Sequence, residues 1–115
     1  PLAYRYRKWV LKDDYAILAR CEVDAAQKTA KSEPDLLLLR ALNEWDAKAG
    51  ADYRKSLDSQ KGALLATEIK NNSAKLFKWT AQALLSGADA IKLGYVSRHQ
   101  PKDPQNHVIL GVQGY

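Results

Sequence analysis

The stretch Gly62-Ala63-Leu64-Leu65-Ala66-Thr67-Glu68-Ile69-Lys70-Asn71-Asn72-Ser73-Ala74-Lys75-Leu76-Phe77-Lys78-Trp79-Thr80-Ala81-Gln82-Ala83-Leu84-Leu85-Ser86-Gly87 decides how the chain is read. Gly62 to Lys70 is an apolar run that ends in charged residues at alternating positions, which predicts a central strand. Asn71, Asn72 and Ser73 are good N-cap residues. Ser73 to Ser86 then has helical periodicity, closed by Gly87 as the C′ residue. Leu76, Phe77, Thr80, Ala81, Leu84 and Leu85 share one broad face and predict a core stripe. Lys75, Lys78 and Gln82 follow i, i+3, i+7 spacing on another face, a basic stripe.

Working outward, Tyr4 to Leu11 reads as a strand stopped by the turn chemistry of Lys12-Asp13-Asp14. Tyr15 to Ala25 resumes as a buried strand, and the two form a hairpin. Gln27 to Asp35 is a polar loop. Leu36 to Leu42 reads as a third strand and Asp52 to Gln60 as a short helix. Ala90 to Ser97 and Val108 to Val112 are further strands, separated by the polar loop His99 to His107. The fold class is α+β: a mixed, mainly antiparallel sheet packed by one long amphipathic helix.

The 115 residues hold 18 Lys+Arg against 13 Asp+Glu, and the net charge of +5 lies entirely in the second half. Polyanionic partners suit that balance. Near the start, Arg5, Arg7, Lys8 and Lys12 interleave with Tyr4, Tyr6 and Trp9, a pattern for phosphate contact and base stacking as well as for a solvated strand face. Cys21 is alone, so neither a disulfide framework nor a thiolate metal site is available, and a reducing compartment, cytoplasm or nucleus, is favoured. The longest aliphatic run is Leu36 to Leu39, far short of a bilayer span, so no membrane partner is expected. No signal peptide is read in residues 1–12, and the missing initiator Met points to a segment of a longer chain.

Two triplets could carry chemistry: Glu22-Val23-Asp24 and Glu68-Ile69-Lys70. On strands, positions i and i+2 project to one face, so paired strands would bring Glu22, Asp24, Glu68 and Lys70 together. Carboxylate oxygens suit Mg²⁺ or Mn²⁺, with Lys70 at a phosphate. A solvated salt-bridge cluster explains the same residues. The expected helix N-terminus at Asn71 to Ser73 adds free N–H groups, and Lys75, Lys78 and Gln82 extend a positive field. Asn71-Asn72-Ser73 also spells a glycosylation sequon, discounted because nothing suggests secretion. His99 and His107 lack a third ligand at metal spacing and read as loop histidines. From the residues alone, an RNA-binding module and a metal-dependent RNA hydrolase stand nearly level. A third reading, a structural interaction domain, would use Trp45, Trp79 and the Leu-rich runs as partner surface.

The strings Ala19 to Asp24, Leu42-Asn43-Glu44-Trp45-Asp46, Leu57-Asp58-Ser59-Gln60, Ala66 to Ser73 and Lys92-Leu93-Gly94-Tyr95-Val96-Ser97-Arg98 together resemble one family. It is the cap-binding domain of the d-type subunit of eukaryotic translation initiation factor three. The resemblance covers almost all of the chain, and family chains are much longer. That family is similar in fold to the DXO decapping and exonuclease proteins, whose E-x-D and E-x-K motifs match the two triplets. Their Lys-Leu-x-Lys-Trp-x-x-Gln run matches Lys75 to Gln82. In those enzymes the acids hold divalent metal while the Lys and Gln line an RNA tunnel; their remaining acidic and Arg motifs have no counterpart here.

The resemblance implies a non-enzymatic subunit that binds the capped 5′ end of mRNA on the small ribosomal subunit, with other initiation-factor subunits as partners, in the cytoplasm. RNA contacts are expected from Lys70, Asn71, Asn72, Lys75, Lys78 and Gln82. No resident cofactor is expected, Mg²⁺ or Mn²⁺ being the ion that a vestigial Glu22, Asp24, Glu68 site would take. It also implies that residues 27–62 form a gate-like insertion. The length and mixed polarity of that segment predict higher mobility across Ala30 to Ala51 than in Ser73 to Ser86. The alternative is a divalent-metal-dependent RNA 5′-end decapping nuclease.

Overall fold

Two consecutive aspartates set the first turn. In the computed structural model, which describes residues 2–44, 46, 48 and 50–115, Asp13 and Asp14 both have left-handed backbones, φ 59° and 61°. Tyr15 N–H donates to the Lys12 carbonyl at 3.3 Å across them. Two central residues with positive φ match the right-handed twist of a hairpin, and Asp tolerates that conformation better than most residues. The strands so joined are β1 (Ala3–Val10) and β2 (Ala16–Val23), antiparallel and forming a separate two-stranded sheet.

A second sheet holds β3 (Ala25–Gln27), β4 (Asp35–Asn43), β5 (Ala90–Arg98) and β6 (His107–Gly114) in that order. β4 and β5 are parallel, and the other two pairings are antiparallel. A parallel pair needs a crossover. Three helices supply it: α1 (Tyr53–Ser56), α2 (Lys61–Asn71) and α3 (Ser73–Ser86). The class is therefore α+β, as expected. Among the described residues no helix is long and apolar enough to cross a membrane.

One expectation fails here: Gly62 to Lys70 is helix α2, not a central strand. Ala63, Leu64, Leu65, Ala66, Glu68 and Lys70 are all strong helix formers. Leu64 and Glu68, four apart, are its buried residues, so the period is 3.6 and the alternation of Glu68 and Lys70 is incidental.

The core lies between the sheet and the helices. Leu42, Leu93 and Tyr95 come from β4 and β5; Tyr53, Leu57 and Leu64 come from the helical side. Tyr53 and Tyr95 meet edge to face, with ring centroids 5.3 Å apart at 86°, the arrangement favoured by the ring quadrupoles. Residues 27–62 therefore supply β4 to the middle of the sheet, and Leu42, Tyr53 and Leu57 to the core.

The helix α3 differs from expectation in its orientation. Leu76 and Trp79 pack on the core and Ser86 is buried, while Phe77, Leu84 and Leu85 are exposed. Apolar residues occur all round this helix, so the widest stripe did not mark the inner side. Its C-terminus closes as expected: Gly87 is left-handed at φ 63°. Ala88 N–H reaches the Ala83 carbonyl at 3.1 Å and Gly87 N–H the Leu84 carbonyl at 3.2 Å, a Schellman closure.

The hairpin projects from this body. The radius of gyration is 17.0 Å, against about 13 Å for a compact chain of this length. Its link to the body is basic: Arg5 Nη1 donates to the carbonyls of Ser86 at 3.0 Å and Gly87 at 3.1 Å, and Arg7 Nη1 to that of Leu84 at 3.3 Å. α3 has no basic residue in its own last turn, so β1 delivers the cations that the negative end of the helix dipole favours.

Candidate nucleic-acid interface

The junction between α2 and α3 turns on Asn72. With φ −127° and ψ 36° it leaves helical geometry, yet its N–H still reaches the Glu68 carbonyl at 2.8 Å, and its own carbonyl accepts from Leu76 N–H at 3.0 Å to start α3. The Asn72 side chain caps nothing; its Nδ2 donates to Glu68 Oε2 at 2.7 Å. Glu68 is buried, and its other oxygen accepts from the Tyr53 hydroxyl at 2.7 Å. A buried carboxylate without partners would be strongly destabilising, so Tyr53 and Asn72 are what hold Glu68 in place. Burial first, then the hydrogen bond to Glu68, pushes the Tyr53 phenol well above its ordinary pKa.

A second glutamate completes the wall. Glu44 accepts from the Tyr53 backbone N–H at 2.8 Å and from the Ser97 hydroxyl at 2.5 Å. Between the two lies a cavity of about 330 Å³, lined by Asn43, Glu44, Tyr53, Glu68, Asn71 and Asn72 among others.

On the two helices that meet there, Lys70, Asn71, Lys75 and Lys78 are exposed, and none of the three lysines has an acidic partner among the described residues. Lys75 Nζ lies 6.0 Å from the Trp79 ring centroid, at the outer reach of a cation–π contact. Gln82 departs from its expected place. It is half-buried and accepts from Arg40 Nη2 at 3.1 Å, so it braces α3 against β4 instead of extending the lysine stripe.

The proposed acid cluster is not assembled. With Glu68 on a helix, no pair of strands brings it to Asp24. Asp24 sits at the corner after β2 and accepts from Arg40 Nη1 at 2.6 Å and from Leu39 N–H at 2.8 Å. Glu22 is exposed on β2, opposite Tyr4. Among the described residues, no group of three or more His, Cys, Asp or Glu could hold a metal ion. Trp45, expected as partner surface, lies outside the described residues.

Residues 1–115 match the family described as Eukaryotic translation initiation factor 3 subunit 7 (eIF-3). The chain belongs to that family. It is similar to the D subunit of eukaryotic translation initiation factor 3 of Bombyx mori, 53% identical over 116 residues and 99% of this chain. It is also similar to the D-1 subunit of the same factor of Drosophila grimshawi, at 52%, and of Drosophila melanogaster, at 51%, again over 99% of this chain. The match covers 21% of each relative, so the chain spans about a fifth of their length.

For this member of the initiation factor 3 family, sequence reasoning missed Glu44, Tyr53 and Arg40 as parts of the site. Glu44 stands in one of the strings that carry the resemblance, which was the signal at hand. Tyr53 and Arg40 gave none, because their partners lie 15 and 16 residues away in elements whose packing no local pattern encodes.

Proposed function

We propose that this segment binds the capped 5′ end of mRNA and the phosphates that follow it, within a non-enzymatic translation initiation factor subunit. Its partners would be other subunits of the factor and the small ribosomal subunit, in the cytoplasm. The observation that carries the reading lies at the α2–α3 junction: a cavity lined by Glu44, Glu68, Asn71 and Asn72, with the exposed Lys70 in the last turn of α2 and the exposed Lys75 and Lys78 in the first half of α3. A methylated guanine is a cation whose base edge presents N–H donors, and carboxylates complement both features. The lysines supply phosphate contacts along the strand. Asn71, exposed and lining the cavity, offers its amide to the sugar and base. The names of the relatives, all initiation factor 3 subunits, agree with this role. The hydrolase alternative needs Glu22, Asp24 and Glu68 around one ion, and Asp24 and Glu68 serve separate networks.

The test is retention of capped and uncapped RNA of one sequence, with and without Mn²⁺. Preferential retention of intact capped RNA is expected. Equal retention of the two RNAs would remove the cap reading, and a shortened product on adding Mn²⁺ would restore the hydrolase.

A further inference from the structure

We infer that the outer face of the β1–β2 hairpin is a stacking platform for single-stranded RNA, an inference that rests on the RNA-binding reading above. The antiparallel register puts Tyr4 opposite Glu22, Tyr6 opposite Arg20 and Lys8 opposite Leu18. Alternation along each strand sends these six side chains to one side. Arg5, Arg7 and Trp9 go to the other side, where both arginines grip the end of α3. The outer face is open: Tyr4 is 46% and Tyr6 65% exposed. The two rings stand two residues apart, roughly 6.8 Å along the strand.

Charge decides the occupant. The Arg20 guanidinium lies 4.8 Å from the Tyr4 ring centroid and is level with Tyr6 across the strands, while Lys8 continues the row. None of the hairpin's basic side chains, Arg5, Arg7, Lys8, Lys12 or Arg20, has an acidic partner among the described residues. Unneutralised cations alternating with exposed rings fit a chain that offers phosphates and flat bases together. Every base has a π face, so the platform reads no sequence; it holds the strand that leads away from the cap site.

The experiment measures affinity of the full chain for an uncapped oligouridylate of about 12 nucleotides, and in parallel for a cap analogue alone. Replacing both Tyr4→Ala and Tyr6→Ala is expected to weaken oligouridylate binding by at least about tenfold. Tyr4→Phe with Tyr6→Phe should restore it, since the phenyl ring still stacks, and neither pair should change cap-analogue affinity. An unchanged oligouridylate affinity in the alanine pair overturns the platform, as does a parallel loss of both ligands. Loss of an initiation-factor partner with RNA affinity intact would overturn it too and assign the face to protein. If capped and uncapped RNA bind alike while the alanine pair weakens both, the platform stands and the cap reading alone fails.

Discussion

Asp24 Oδ2 lies 2.6 Å from Nη1 of Arg40. Arg40 in turn donates to Gln82, so one guanidinium ties the corner after the hairpin to β4 and to α3. Residues that invited a metal or RNA role from sequence here hold three elements together. Asp24→Asn is expected to lower unfolding stability by about 1.5–3 kcal/mol, the range for hydrogen bonds to charged groups. It should leave RNA retention in Mn²⁺ unchanged. A variant with wild-type stability that loses an Mn²⁺ dependence of RNA retention present in the parent would return Asp24 to the role of ligand.

Tyr53→Phe removes the hydroxyl that donates to Glu68 and leaves a buried carboxylate oxygen without that partner. A loss of about 1–3 kcal/mol is expected in denaturant titration. The same buried phenols set an alkaline limit. Tyr53 and Tyr95 are pushed above the ordinary value of 10.0, chiefly by burial, then by the hydrogen bonds to Glu68 and Tyr115 respectively. The folded state thus holds these protons more tightly than the unfolded one. Their contribution is whole below pH 10.0 and declines as pH rises beyond it. Their tyrosinate absorbance should emerge together with loss of near-ultraviolet dichroism, and emergence before unfolding would contradict the burial described.

Gly87→Ala places a Cβ where φ is 63°, 2.8 Å from Arg7 Cζ. Left-handed backbone alone costs about 1–2 kcal/mol for a residue with a Cβ, and the displaced guanidinium would release its hold on the Leu84 carbonyl. Thermal unfolding of the variant should begin lower than that of the parent. An unchanged midpoint would mean that the contact between hairpin and helix contributes nothing.

Lys75→Glu with Lys78→Glu should flatten the dependence of log affinity on log salt by about 0.7 for each phosphate of a single strand that is no longer neutralised. Gln82→Ala, by contrast, should act through stability, since its amide braces Arg40. An unchanged slope in the lysine pair would remove α3 from the RNA path.

Hydrogen exchange addresses the expected gate. Residues 37–43 of β4 are laddered to β5, so their amides should exchange as slowly as those of α3, with fast exchange confined to the bends at residues 30–33 and to the exposed polar chain beside them. Uniformly fast exchange from 27 to 62 would make the whole segment a mobile cover.

Local chemistry was legible where it acts locally. Asp13-Asp14 announces a hairpin turn and Gly87 a helix end, because positive φ restricts which residues serve. Helix α2 was hidden by two charges at alternating positions, a coincidence of spacing that helix propensity over residues 63–70 contradicted. The inner side of α3 was not legible, since Phe77 and Leu84 are as apolar as Leu76 and Trp79; the sheet partner chooses between them. The Glu68 network was illegible for a related reason: nothing in Glu-Ile-Lys states that a tyrosine 15 positions earlier will meet it.

The grip of Arg5 on Ser86 spans 81 residues. During synthesis at about 5–20 residues per second, the hairpin therefore waits roughly 4 to 16 seconds for the helix end that receives it. Through that interval Trp9 and Ile17, paired on the side of the hairpin that faces α3, have no body to stand beside, and a two-stranded ribbon is only marginally stable alone. The newborn chain is at its most adhesive before residue 87 has left the ribosome, which makes the pace of translation across this region a determinant of its yield.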